Sequence, residues 1–129
     1  MIAALLQQAS SGLTMPSESD YPFTVFVWPH QALPLLTPAR LLELSGHSSD
    51  LEVSLDTLTH LLRNVAEPHD WHDDAQQALI SRFQMLKVAL EEHLSDLAVY
   101  RVGAVQVQVY IVGRSGDDLA GLSTVLIET

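Results

Sequence analysis

The chain of 129 residues contains no cysteine. That removes a disulfide framework, a thiolate metal site and a cysteine nucleophile at once, and it suits a reducing cytosol. Cations are scarce as well: six Lys and Arg stand against sixteen Asp and Glu, for a net charge of −10. Phosphate contacts need clustered cations, so direct nucleic-acid binding is not expected, and repulsion opposes docking on anionic membranes. Long apolar runs are missing too. The opening MIAALLQQASSGL is broken by Gln7 and Gln8 and has no Lys or Arg before its apolar stretch. It falls well short of the roughly 20 residues of a membrane span and lacks the pattern of a leader, so the expectation is a soluble, cytoplasmic protein.

Familiar catalytic patterns are absent in the same way. GRSGDD puts Asp117 and Asp118 where a phosphate would have to sit. GLSTV carries Ser123 without the GxSxG elbow, within a stretch of strand character. No HExxH occurs. Acid pairs such as Glu91 and Glu92 read as the solvated face of a helix.

What is present is a packed domain. An apolar content of 47% supports a core, and a chain of this length buries roughly two-thirds of the surface it exposes when unfolded. No repeat, linker or low-complexity block divides it, so residues 1–129 are read as one domain. Ile2, Leu5, Leu6, Ala9 and Leu13 are spaced for a helix that Gly12 ends. Thr24 to Trp28 is rich in β-formers and Pro29 closes it. Thr37 followed by Pro38 opens a short helix over Ala39 to Ser45, and Gly46 stops it. Leu55, Leu58, Leu61, Leu62 and Val65 outline another, capped by Ser54 or Asp56.

EPHDWHDD, from Glu67 to Asp74, is an acidic loop able to cap the longest helix, about Asp74 to Leu94, whose apolar positions are Leu79, Phe83, Leu86, Leu90 and Leu94. The period then changes to two. Val105, Val107, Val109 and Ile111 alternate with Gln106, Gln108 and Tyr110, as in a strand with one wetter face. With Val99 to Val102 before it and Leu119 to Glu128 after it, an antiparallel meander follows. Helices against such a sheet make the class α+β.

Two segments invite a functional question. In the first, His69, Asp70, His72, Asp73 and Asp74 offer imidazole and carboxylate ligands of the kind that hold zinc. Yet Asp residues are common as caps and favour a helix N-terminus, and no third ligand lies at a fixed spacing. Trp71, in the middle, either tucks against the core, which its local sequence favours, or projects as an interface anchor. In the second, SESDYPF (Ser17 to Phe23) places acids immediately before a strand. A turn explains the polarity; display to a cationic partner explains the charge.

GLTMPSESDYPFTVFVW, the DW after a proline, VYRVGAVQVQVYIVG and the ending LAGLSTVLIET together resemble the nuclease A inhibitor family, in order and across nearly the whole chain. The resemblance implies an α/β/α sandwich with an antiparallel sheet, a variation on the pathogenesis-related-1-like fold. It implies a bacterial protein inhibitor, not an enzyme, acting on a sugar-non-specific, magnesium-dependent ββα-metal nuclease that degrades DNA and RNA. Residue by residue, Glu18 matches the family acid expected to pair with an active-site arginine, and Asp70 and Trp71 match its DW contact. Thr129 matches the C-terminal threonine expected to approach the magnesium of the partner nuclease. The inhibitor itself needs no metal and no cofactor. Thr14, Met15 and Pro16 depart from the family's apolar stretch, and residues 29–50 are less similar. Two alternatives stand beside this reading: an acidic protein-interaction module of the same fold with a non-nuclease partner, and a small metal-dependent hydrolase built on His69 to Asp74.

Overall fold

The computed structural model describes residues 2–15, 21–29, 36–48, 50–66 and 73–127. Its centre is a five-stranded, wholly antiparallel sheet. The strands are β3 (Thr24–Trp28), β4 (Val53–Asp56), β5 (Ser95–Val102), β6 (Gln106–Ser115) and β7 (Asp118–Ile127), in the spatial order β3-β7-β6-β5-β4. A two-stranded ladder, β1 (Thr14–Met15) with β2 (Tyr21–Pro22), stands beside it. The expected meander is β5-β6-β7, and β3 and β4 close its two edges.

Period-two patterning on β6 and β7 sorts side chains between two cores. Val107, Val109 and Ile111 of β6 share one face with Ala120, Leu122 and Leu126 of β7 and with Val99 of β5. That face is covered by α1 (Ile2–Ser10), α3 (Leu58–Leu61), α4 (Arg63–Ala66) and α5 (Asp74–His93). Tyr110, Val112, Tyr100, Val102 and Leu119 point the other way and meet Leu41 and Leu42 of α2 (Pro38–Ser45). The architecture is therefore α+β, with helices on both faces of the sheet. Tyr110 is only 9% exposed because α2 covers it, so the wetter face expected of β6 is confined to Gln106 and Gln108 at the start of the strand.

Local chemistry sets the helix ends. Thr37 accepts from the Arg40 amide at 3.2 Å, and Pro38 opens α2 where its missing N–H costs nothing. Gly46, at φ 78°, takes the left-handed turn that ends it, with His47 N–H donating back to the Leu42 carbonyl at 3.0 Å. Asp73 and Gln76 form a reciprocal capping box on α5: the Gln76 amide donates to Asp73 Oδ1 at 2.8 Å, and the Asp73 amide to Gln76 Oε1 at 2.9 Å.

Two expectations are corrected. Leu55 does not belong to a helix capped by Ser54 or Asp56: residues 53–56 form edge strand β4, Leu55 is 66% exposed, and Thr57 caps α3. Asp56 instead accepts from the Thr57 amide and pairs with His60, each at 2.8 Å. On α5, Leu79 is 49% exposed, and Ile80 takes the buried position in the turn before Phe83.

Gly121 shows how closely β6 and β7 approach. A Cβ there would lie 1.7 Å from the Ile111 carbonyl oxygen, so no side chain fits without parting the two central strands.

Candidate functional site

Glu18, Asp70, Trp71 and Thr129, with His69 and His72, all lie outside the described residues. The structure does place the chain on either side of each of them. Segment 16–20 leaves from Met15 and returns at Tyr21, and these two residues are directly paired across the β1–β2 ladder. Segment 67–72 runs from the end of α4 at Ala66 to the cap of α5 at Asp73. Residues 128–129 follow Ile127, the last paired residue of β7.

These attachment points fall at one end of the sheet. Thr24 of β3 pairs with Ser123 of β7, and the two strands run oppositely, so Phe23, Pro22 and Tyr21 continue along β7 toward its C-terminal end. Thr124 fixes that geometry. Its Oγ1 lies 3.0 Å from the Pro22 carbonyl oxygen and 3.3 Å from that of Tyr21, so one hydroxyl proton is shared between consecutive carbonyls at the base of the ladder. Thr124 is 4% exposed and is in phase with Leu122 and Leu126 on the covered face of β7. Ile127, at the same end, pairs with Gln106, the first residue of β6.

The direction of α5 brings in the third segment. At its C-terminal end Leu94 packs on Gly113, where an added Cβ would come within 2.7 Å of Leu94 Cβ, close to the β6–β7 turn. One body length back, Phe83 meets Phe23 edge-on at a centroid separation of 6.4 Å. From Phe83 the helix continues toward its capped start at Asp73, about 15 Å farther on at 1.5 Å per residue. Two hydrogen bonds tie neighbouring chain to this part of α5. Gln84 Nε2 donates to the Ala66 carbonyl at 2.8 Å, and Arg82 Nη2 to the Ser11 carbonyl at 2.6 Å, just before β1.

Charge follows the same grouping. Glu18, Asp20, Glu67, Asp70, Asp73, Asp74 and Glu128 are seven of the sixteen acids, and none of the six Lys and Arg occurs in 16–20, 67–74 or 128–129. Among the described residues, Arg40 pairs with Glu43 at 2.8 Å and Lys87 with Glu91 at 3.8 Å. Among the described residues no three His, Asp or Glu side chains converge as metal ligands. No described helix is long and apolar enough to cross a membrane.

Sequence reasoning missed Thr124, Arg82 and Gln84. A signal for the first was available: a hydroxyl residue at a position whose strand neighbours two away are both leucine belongs on the buried face and needs a partner there. The other two are exposed helical positions, and their carbonyl partners become visible only once the chain is folded.

On the far side of the sheet, burial raises the pKa of both Tyr100 and Tyr110 above the usual phenol value; a hydrogen bond from Ser45 partly offsets this at Tyr110. Tyr110 also contacts His47 Nε2 at 2.6 Å, and Tyr100 donates to the Leu36 carbonyl at 3.1 Å. These contacts tie α2 and its flanks to the sheet, on the face opposite Thr124.

No curated protein matches the chain. The family model described as nuclease A inhibitor-like protein matches it from residue 1 to residue 129, so the chain belongs to the nuclease A inhibitor-like family.

Proposed function

We propose that this chain is a protein inhibitor of a sugar-non-specific, magnesium-dependent ββα-metal nuclease, and that it is not itself an enzyme. The observation that carries the reading is the convergence, at one end of the sheet, of the attachment points of all three segments that hold the family-matched residues. Those segments are acidic and contain no Lys or Arg. A nuclease cleft attracts polyanions, so an acidic end of this kind competes with nucleic acid for the same field.

Within that reading each residue has a separate task. Glu18 pairs with an arginine of the nuclease, where a carboxylate and a guanidinium can form two parallel charge-assisted hydrogen bonds. Trp71 is the apolar anchor, the residue type most enriched among those that dominate binding energy, and Asp70 lies beside it. The carboxylate of Thr129 approaches the magnesium held by the nuclease, an ion that prefers oxygen ligands and retains waters. The metal is the partner's.

The test is a nuclease-protection assay against a ββα-metal nuclease, run with the native chain and with a form extended by several residues beyond Thr129. Protection by the native chain and marked loss of potency on extension are expected, with the melting curve unchanged. No protection at micromolar protein rejects the inhibitor reading and leaves an acidic module with another partner. Undiminished potency of the extended form rejects the role given to Thr129.

A further inference from the structure

β4 ends the sheet on the side away from β3, and one backbone hydrogen bond fixes which way its amides point. The Gly103 amide donates to the Glu52 carbonyl at 3.0 Å, in line with the register that sets Val53 opposite Val102 and Ser54 opposite Arg101. Hydrogen-bonded and non-hydrogen-bonded pairs alternate along an antiparallel ladder, so Glu52, Ser54 and Asp56 turn their backbone groups toward β5. Those of Val53 and Leu55 point outward. Among the described residues nothing pairs with them on that side.

Side chains sort by the same period. Leu55, 66% exposed, is in phase with Val53 on the α2 side of the sheet. Glu52, Ser54 and Asp56 alternate with them toward the α3 side. There His60 Nδ1 lies 2.8 Å from Asp56 Oδ1 and Arg101 Nη1 3.8 Å from Asp56 Oδ2, so Asp56 is already occupied. Glu52 is exposed, and no described Lys, Arg or His pairs with it. The sequence from 41 to 62 contains no Lys or Arg at all. Natural sheet edges are commonly blunted by lysine, proline or a bulge, and β4, with the sequence VSLD and an unbroken register, has none of the three.

We propose that the outer edge of β4 is a strand-addition site for an extended, cationic segment of a partner protein. The segment lies antiparallel to β4 and exchanges hydrogen bonds with Val53 and Leu55. Its residues opposite those two share their face and are apolar, which covers Leu55. The residues between them face the Glu52 side and are Lys or Arg. A second copy of this chain is the poorer occupant. The two-fold register that uses Val53 and Leu55 of both strands sets Glu52 against Asp56 of the second copy, between molecules that each carry −10. A cationic segment meets no such opposition. The edge also begins near the acidic segments. Ser54, Arg101, Val109 and Thr124 are successive partners across four strands, so Glu52 and Val53 lie toward the end of the sheet that holds Ile127, about 15 Å from β7. A basic protein engaged at that end has β4 within reach, although the edge itself does not rest on the proposed function.

Two-dimensional NMR of the full chain, titrated with a blocked heptapeptide of alternating Lys and Val, tests the edge with no nuclease present. Amide shifts are expected to centre on residues 53–56 and to saturate by millimolar peptide, with slowed solvent exchange at Val53 and Leu55. Methylating the valine nitrogens of the peptide, which face β4, should weaken binding by about tenfold or more. Methylating the lysine nitrogens, which point away, should weaken it far less. Glu52→Lys in the protein, or glutamate for lysine in the peptide, should also lower affinity severalfold. Unperturbed Val53 and Leu55 amides at millimolar peptide overturn the proposal, as does equal binding of the two methylated peptides. Shifts at Val53 and Leu55 that grow with protein concentration in the absence of peptide assign the edge to a second copy and overturn it too. Failure of this titration counts against the β4 edge alone, since the nuclease-protection assay tests the proposed function separately.

Discussion

Thr124→Val tests whether one buried hydroxyl holds the β1–β2 ladder in place. Valine keeps the volume, so no cavity opens, and what is lost is the proton shared by the Tyr21 and Pro22 carbonyls. A neutral hydrogen bond contributes about 0.5–1.5 kcal/mol net, and leaving a buried partner unsatisfied raises the cost to about 1–3 kcal/mol. Pro22 is exposed and Tyr21 half-buried, so water can reach both carbonyls in the variant. The lower range therefore applies, and a loss of about 1 kcal/mol in urea denaturation is expected, with an unchanged m-value. The local effect should exceed the global one. Amide exchange at Met15 and Tyr21, the paired residues flanking segment 16–20, should accelerate clearly, while amides of β6 follow global stability only. On the proposed function, inhibition weakens in parallel and Thr124→Ser restores it, because serine retains the donor. Unaltered exchange at Met15 and Tyr21 would refute the argument that Thr124 positions the ladder. A global loss well beyond 3 kcal/mol would show that the side chain does something other than donate this bond.

Gly121→Ala should abolish folding or leave only a loosened, aggregation-prone state by circular dichroism and gel filtration, since the new Cβ meets the Ile111 carbonyl oxygen at 1.7 Å; a soluble, cooperatively melting variant would show that β6 and β7 can part there without penalty. Asp73→Ala removes the side-chain acceptor of the Gln76 amide in the capping box on α5 and should lower the unfolding free energy by about 1 kcal/mol in chemical denaturation, the usual cost of a lost N-cap. The raised pKa values of Tyr100 and Tyr110 carry a pH dependence. In the unfolded chain these phenols ionise near 10.0, whereas burial keeps them protonated to higher pH in the fold. Their contribution is thus fully present below pH 10.0 and lost as pH rises through the folded values. Denaturation midpoints should fall above that pH, and Tyr100→Phe or Tyr110→Phe should each flatten the slope; an unchanged slope in both would argue that the phenols are solvated.

The elements most legible in the sequence are those whose periodicity is long and bounded by definite breakers. The spacing of Phe83, Leu86 and Leu90 marked α5 to within a residue at its ends, the alternation from Val105 to Ile111 marked the start of β6, which runs on through Gly113 and Arg114 to Ser115, and Thr37-Pro38 with Gly46 framed α2. Edge strand β4 was illegible for a specific reason. Its four residues are too few to show alternation, and Leu55 falls by chance in helical phase with Leu58 and Leu62, while the true cap, Thr57, sits between them. At Leu79 and Ile80 two adjacent apolar residues compete for one buried position, and only tertiary packing decides for Ile80. The pairing of β3 with β7 joins residues about a hundred positions apart, which no local pattern encodes. For the site, the string resemblance supplied residue identities without placement. The fold supplies placement for the flanking residues, and hydrogen bonds from Thr124, Arg82 and Gln84 account for it.

Seven acids without a Lys or Arg in segments 16–20, 67–74 and 128–129 need a physical counterpart if, as the proposed function has it, they act together, because like charges close together oppose the compact state. Part of that counterpart is local. Asp73 and Asp74 stand at the N-terminus of α5, where exposed amide groups and the helix dipole favour negative charge by about 0.3–1 kcal/mol each. No such compensation follows from Glu18, Asp20, Glu67, Asp70 or Glu128 by sequence position, since none lies in the first turn of a described helix. Selection for stability alone would scatter these charges or pair them with the cations, half of which border α5 instead. On the proposed function, an external cation field reverses the balance: repulsion that weakens the free protein is relieved on docking, so the same charges that cost folding stability strengthen association. That difference in sign between folding and binding is what a surface shaped by a basic cleft should show, and a surface acidic merely for solubility should not.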